Sequence, residues 1–337
     1  MSNKPTSVLV TGGGGYVGGV LVPALLSAGY RVRVLDTFWF STPPLPAPNL
    51  EVVVGDIRDQ ALMARCLDGI DAVIPLAAMS NDPSGDLQPD ITREINLDAS
   101  LALGAAARPA GVRRFVNISS ASVYGTNDSP RVTESLETNP QTLYARYKAD
   151  VEVEMLARDD GDFVVTSVRP ATLSGYGPRM RLDLTVHILT CQAVVDGHLR
   201  VFGGAQQRPN LSVHDLVRAL LLILRAPAAT VRGRTFNLVE TNYTVRAIAD
   251  WVKAVVGRPG LTVDAAPTDD TRSYRLDGER ARTELGFHPL FGVDHSITAV
   301  AAALTDGRVP DPTDSRWRNV AHLTRHPVQS WSDTPNG

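Results

Sequence analysis

The sequence predicts an α/β fold: a doubly wound parallel sheet with a smaller, discontinuous α/β domain beside it. Three observations carry that expectation. Short apolar runs alternate with helical patterns through the first half of the chain, as a parallel sheet covered by helices requires. The first run opens directly into a glycine-rich turn, Thr11-Gly12-Gly13-Gly14-Gly15-Tyr16-Val17-Gly18. After Pro170 the alternation weakens, and a later helix and strand resume it. At 337 residues the chain exceeds the usual single-domain size, and a hydrophobic content of 43% suffices for a sizeable core.

In order, strands are expected over 8–10, 31–35, 51–54, 72–75, 114–118 and 163–168, with helices near 16–28, 60–67, 92–110 and 144–157. A loop rich in Gly, Pro and Arg over 174–181 leads into a helix at about 182–196. The helix at 213–224 and the apolar strand at 235–239 read as a return to the main sheet. The expected division is therefore a nucleotide-binding domain from 1–173 and about 209–239, a substrate domain from about 174–208 and 240–305, and a tail over 306–337. That tail carries several prolines and two tryptophans, Trp317 and Trp331, without clear periodicity. It is either a loose tail or a strap on the body.

A net charge of −3 with scattered basic residues gives no nucleic-acid footprint, so a small-molecule ligand is expected. Cys66 and Cys191 lie far apart with no C-x-x-C motif, which argues against a disulfide framework or a zinc site and for ordinary buried thiols. His187, His198, His214 and His288 lack metal-ligand spacing, so no metal is assigned. No apolar run approaches the roughly 18 residues needed to span a membrane, and a cytoplasmic protein is expected.

The glycine turn follows an apolar strand, opens a helix and is followed by Asp36 at the end of the second strand, a context that turns a weak motif into a strong one. Gly12, Gly15 and Gly18 allow a tight turn, close approach of a pyrophosphate and helix-to-sheet packing, with Tyr16 and Val17 at the helix start facing the phosphates. Asp36 suits an adenosine ribose diol and repels a 2′-phosphate, and Thr37 to Phe40 bring no arginine, so NAD is favoured over NADP. Asp56 and Ile57 fall beside the expected adenine, and Leu76, Ala77 and Ala78 are small enough at the fourth strand's end for a cofactor to pass. Tyr144 and Lys148 are four apart on one helix face, where an ammonium and a positive nicotinamide both favour the phenolate and make proton transfer feasible.

With Asn117-Ile118-Ser119-Ser120-Ala121-Ser122-Val123-Tyr124-Gly125 added, the chain from about 8 to 304 resembles the extended short-chain dehydrogenase/reductase family, the Rossmann-fold NAD-dependent epimerases and dehydratases of nucleotide sugars, and most of all its UDP-galactose 4-epimerase type. The resemblance implies that Ser120 bonds the reacting oxygen, Tyr144 is the acid/base, and Lys148 holds the nicotinamide ribose and lowers the tyrosine pKa. It places Asn96 near the cofactor and Arg208 on the sugar-nucleotide diphosphate, with Arg272 as a second clamp; a planar guanidinium suits that task. Ser80 and Ser122 join them as candidate substrate contacts.

Three departures bear on the reaction. Where the family's 4,6-dehydratases carry Asp-Glu after the catalytic hydroxyl, this chain has Ala121 and Ser122, which argues against dehydration. Thr172 stands where many relatives have a substrate-binding asparagine. The stretch 173–181 is longer than the usual pattern and brings Arg179 and Arg181 to the substrate mouth, either as phosphate readers or as surface charge. The expected function is a nucleotide-sugar 4-epimerase that retains NAD. The alternatives are a ketoreductase or dehydrogenase of a nucleotide sugar or polyol, and a non-catalytic NAD sensor. A homodimer pairing helices 92–110 and 144–157 is expected from the resemblance.

Overall fold

The structure is a computed structural model that describes residues 5–268 and 273–334. The chain begins with β1 (Ser7–Thr11), α1 (Gly18–Ser27), β2 (Arg31–Asp36), β3 (Leu50–Val54), α2 (Gln60–Leu67) and β4 (Ala72–Pro75). Two short helices, α3 (Asp82–Gly85) and α4 (Pro89–Arg93), precede a π-helical turn (Glu94–Ala99), α5 (Ser100–Ala107), β5 (Arg114–Ile118), α6 (Leu143–Leu156) and β6 (Val164–Pro170). Next come β7 (Thr172–Ser174), α7 (Thr185–Cys191), β8 (His198–Phe202), β9 (Gln207–Ser212), α8 (Val213–Arg225), α9 (Ala228–Val231) and β10 (Arg234–Leu238). The last elements are β11 (Thr241–Thr244), α10 (Val245–Val256), β12 (Thr262–Ala266), α11 (Glu279–Leu285), α12 (Val293–Thr305) and α13 (Asn319–Arg325).

The main sheet runs β10-β6-β5-β4-β1-β2-β3, every pairing parallel. Its central strands read as continuous apolar or buried runs because both faces are covered: all five residues of β1 and of β5 are buried. Leu21, Val22 and Leu25 of α1 share one core with Leu216 and Leu220 of α8. Met63 of α2, Leu103 of α5 and Met155 of α6 share the core on the other face. Strand order reverses between β1 and β4, so the winding leaves a crevice at the strands' carboxyl ends. A second sheet, β11-β9-β7, and a two-stranded one, β12-β8, form beside that crevice, packed with α7, α10 and α12.

Local chemistry starts the helices where expected. Asp59 caps α2 by accepting from the Leu62 amide at 2.9 Å, and Thr142 caps α6 by accepting from the Ala145 amide at 3.2 Å. The expected helix over 92–110 differs. It begins at Pro89, is broken by the π-helical turn, and stops at Ala107: Arg108 still has helical backbone, but Pro109 has no amide to continue the bonding. The π turn turns Asn96 inward, where it is buried.

Buried polar groups tie the sheet to α6. Arg169 Nε donates to Glu152 at 3.0 and 3.1 Å and its Nη1 to Tyr124 Oη at 2.7 Å, while Tyr124 donates to Asn237 Oδ1 at 2.8 Å and Ser167 to Glu152 at 3.0 Å. Removing one partner leaves the other charge buried and unpaired, a loss of about 3–5 kcal/mol. Glu152→Ala is therefore expected to lower unfolding free energy by that amount in denaturant titration. Glu51→Ala, which removes the 56%-exposed partner of Arg33, is expected to cost less than about 1 kcal/mol.

Candidate active site

A cavity of about 580 Å³ opens at the carboxyl ends of the main-sheet strands, across the β1/β4 reversal. The glycine turn forms its floor. Gly12 has φ +72°, and a Cβ there would lie 2.5 Å from the Ala77 nitrogen; a Cβ on Gly18 would lie 2.5 Å from Gly13. At Gly15 the nearest atom would be Gly12 O at 3.1 Å, so the turn is closed toward the sheet and open toward the cavity. Helix α1 starts here, and first-turn amides have no partner within their own helix. Asp36 accepts from the Gly14 amide at 2.8 Å and the Phe38 amide at 2.6 Å, one per oxygen, which leaves a lone pair on each for a ribose hydroxyl. Burial raises the Asp36 pKa, and those amides and Arg179 pull it down.

Tyr16, Val17, Ile57, Leu76, Ala77 and Ala78 line the same cavity. Asn96 stands behind the wall rather than in it: it accepts from the Met79 amide at 2.8 Å and donates to Met79 O at 3.0 Å, fixing the chain after β4. Asp56 reaches the cavity, but its carboxylate is taken by Arg58, through the amide at 2.9 Å and the guanidinium at 3.1 and 2.8 Å.

Ser120, Tyr144 and Lys148 come together in the cavity. Helix α6 carries the tyrosine and lysine, and Lys148 Nζ lies 5.9 Å from the Tyr144 ring centroid while donating to Ile118 O at 2.8 Å. Ser122 supports Ser120, donating its amide at 3.1 Å and its hydroxyl at 2.8 Å to Ser120 Oγ. Burial and nearby Asp82 push the Tyr144 pKa up to about 12, against Arg181 and Ser120, which lower it. Lys148, itself lowered by burial to about 8, is not among the groups that pull the phenol down; here that cation is Arg181.

On the substrate side, Ser80, Thr172, Arg179 and Arg208 also line the cavity. Thr172 is held in β7, opposite Asn210 of β9, and Arg208 lies on β9 opposite Tyr243 of β11. Arg272 falls outside the described residues. Arg179 and Arg181 are not surface charge: they are 5% and 8% exposed. Arg181 donates to Asp183 at 3.0 and 3.1 Å and to Ser80 Oγ at 3.3 Å. Asp183, Asp82 and Asn319 also line the cavity, and sequence reading missed them. Asp82 accepts from Thr142 at 2.5 Å, so the cap of α6 is itself tied to α3. Only a capping threonine signals that link locally; for Asn319, nothing in the tail does. The tail is a strap, with Asn319 donating to Ser80 O at 3.1 Å and Ser80 Oγ at 3.0 Å. Among the described residues no group of three or more His, Cys, Asp or Glu is placed to hold a metal ion, and no helix is long and apolar enough to cross a membrane.

Residues 8–238 match the NAD dependent epimerase/dehydratase family. The chain belongs to this family. It is 27% identical to UDP-glucose 4-epimerase of Corynebacterium glutamicum over 300 residues, covering 84% of this chain and 90% of that one. It is 34% identical to 3 beta-hydroxysteroid dehydrogenase/Delta 5-->4-isomerase of Mycobacterium tuberculosis over 340 residues, covering 86% and 88%. A solved complex of MoeE5 with UDP-glucose and NAD superposes with a TM-score of 0.76 at 29% identity, covering 89% of this chain and 99% of that one. The cofactor is NAD, and the glycine turn, Asp36 and the open face at Gly15 fit it.

Behind the substrate segment His187 of α7 is fully buried. Its Nε2 accepts from the Gly175 amide at 2.9 Å and its Nδ1 donates to Arg181 O at 2.7 Å, an arrangement open only to the neutral ring. Burial holds the His187 pKa down at about 4, against 6.5 ordinarily. Between those values the folded chain binds fewer protons than the unfolded one, so this residue's contribution is complete above pH 6.5 and lost as pH falls toward 4. Thermal melts from pH 7 to 4 are expected to fall more steeply for the parent than for His187→Gln, by up to about 3 kcal/mol.

Proposed function

We propose that this chain is a nucleotide-sugar 4-epimerase that retains its NAD. The observation that carries this reading is that Ser120, Tyr144 and Lys148 share one cavity with the glycine turn, Asp36 and Arg208. Ala121 and Ser122 in place of an acidic pair speak against water elimination, and Ser122 instead donates to the Ser120 hydroxyl.

NAD, when bound, supplies reversible hydride acceptance. The chain's own residues do the rest. Ser120 Oγ and Tyr144 Oη hold the C4 hydroxyl of the sugar, each at about 3 Å. Tyr144 takes the hydroxyl proton as the C4 hydride leaves, and it returns that proton once the flat keto sugar has turned its other face to the returning hydride. Arg208 anchors the diphosphate while the sugar turns, as a bidentate cation can. The phenolate this requires is disfavoured by burial and by nearby Asp82, with the pKa near 12. Binding of a positively charged nicotinamide offsets that cost, so ultraviolet difference titration is expected to show NAD lowering the pKa of one tyrosine, a signal absent in Tyr144→Phe.

Tyr144→Phe is expected to cut turnover by about 10³-fold or more while leaving NAD bound. Mass spectrometry of small molecules released on denaturing the parent tests the reading directly. Stoichiometric NAD, recycled without net consumption during sugar interconversion, is the expected result. An empty site with turnover that consumes added NAD would replace it with the second reading, a dehydrogenase of a nucleotide sugar or polyol, which the likeness to a hydroxysteroid dehydrogenase supports.

The same reading makes the enzyme cytoplasmic and a homodimer that pairs α5 and α6 with their copies. Val153 on α6 is 66% exposed and would be covered there. Sedimentation is expected to give twice the chain mass, and Val153→Arg to give the monomer.

A further inference from the structure

The strap over 315–333 lies outside the family match, which stops at 238, yet its anchors fall on segments that carry or adjoin cavity-lining residues. The Leu182 amide donates to Trp317 O at 2.7 Å on the substrate side. His322 Nε2 meets Trp39 O at 3.0 Å on the loop after β2. Gln88 exchanges two bonds with Val328, at 2.8 and 3.0 Å. Arg58, in the loop after β3, donates to Gln329 O at 3.0 Å, and Glu94 accepts from Ser330 at 2.7 Å and the Trp331 amide at 3.0 Å. The strap thus runs from the substrate loop across the adenosine end of the cofactor site.

At its start it grips a buried cation. Arg179 Nη2 donates to Asn319 Oδ1 at 2.5 Å, the guanidinium carbon lies 4.3 Å from the Phe40 ring centroid, and Asp36 is close enough to act on its charge. Arg179 is 5% exposed, lines the cavity, and its Nε is buried with no hydrogen-bond partner among the described residues. A buried donor on a charged group with no acceptor is costly, and a planar guanidinium is shaped for phosphate oxygens. The neighbouring backbone says which phosphate. A Cβ on Gly177 would lie 3.2 Å from the Tyr16 ring, and one on Gly19 3.4 Å from Pro178, so the segment carrying Arg179 lies against the turn that receives the pyrophosphate of a dinucleotide.

We propose that the strap is part of the cofactor site: Asn319 holds the Arg179 guanidinium beside the glycine turn and Asp36, where it binds the phosphates of NAD, and not those of the sugar nucleotide. Asn319 is the positioning residue and Arg179 the binding one. The assignment does not depend on which sugar reacts. The test is titration of the full-length protein, freed of cofactor, with NAD, NADP and UDP. Arg179→Met and Asn319→Ala are each expected to raise the NAD Kd at least tenfold. The double variant is expected to be no worse than Arg179→Met, because the two act as one unit. UDP affinity is expected to stay within twofold. Asn319→Asp, which keeps the acceptor facing Arg179, is expected to retain NAD within threefold, and it serves if Asn319→Ala does not fold. Parent-like NAD binding in Arg179→Met overturns the proposal. So does a loss confined to UDP, which would move the cation to the substrate, or a loss confined to NADP, which would make it a 2′-phosphate reader.

Discussion

The site depends on one clamp between segments distant in sequence. Tyr16, inside the glycine turn, donates its hydroxyl to Gly175 O at 2.7 Å, while the Gly175 amide donates to His187. Gly175 has φ +103°, a backbone a side chain would strain, and this conformation turns its carbonyl and amide to opposite partners. The clamp seats the loop after β7 on the cofactor turn, and from that seat Arg179, Arg181 and Asp183 line the cavity.

Enclosure then governs the chemistry. Burial pushes Tyr144 up to about 12, Lys148 down to about 8 and His187 down to about 4, each toward its neutral form. Arg181 is ion-paired with Asp183 at 3.0 Å and set where its field acts on Tyr144. Tyr144 is therefore coupled to the substrate loop through Arg181.

What was legible in the sequence is what one element decides by itself. The glycine turn, Asp36 at a strand end and the Tyr144/Lys148 spacing are fixed by local geometry, and the structure brings them to one cavity. The main sheet was legible too, down to the return of β10 to it, because two-sided burial writes apolar runs. The π-helical turn was not, since a shift in backbone register leaves no mark in composition. Nor was the burial of Arg179 and Arg181, which rests on partners up to 140 residues away. The reading of Asp56 fell short for the opposite reason: its partner, Arg58, is two residues on, and a carboxylate beside an arginine can serve a ligand or its neighbour.

The match to the family model ends at 238, but Asn319, Tyr274, Thr268 and Val245 all line the cavity. Ser120, Tyr144 and Lys148 lie within the part matched by the family model; residues beyond it complete the cavity's walls. The wall ties the substrate loop, the adenosine loops and the helices after β4 into one band, since opening at any one loop must work against anchors on the others. Trp317, Leu323 and Val328, all buried, give the band a hydrophobic footing, so its hold on the site does not rest on hydrogen bonds alone.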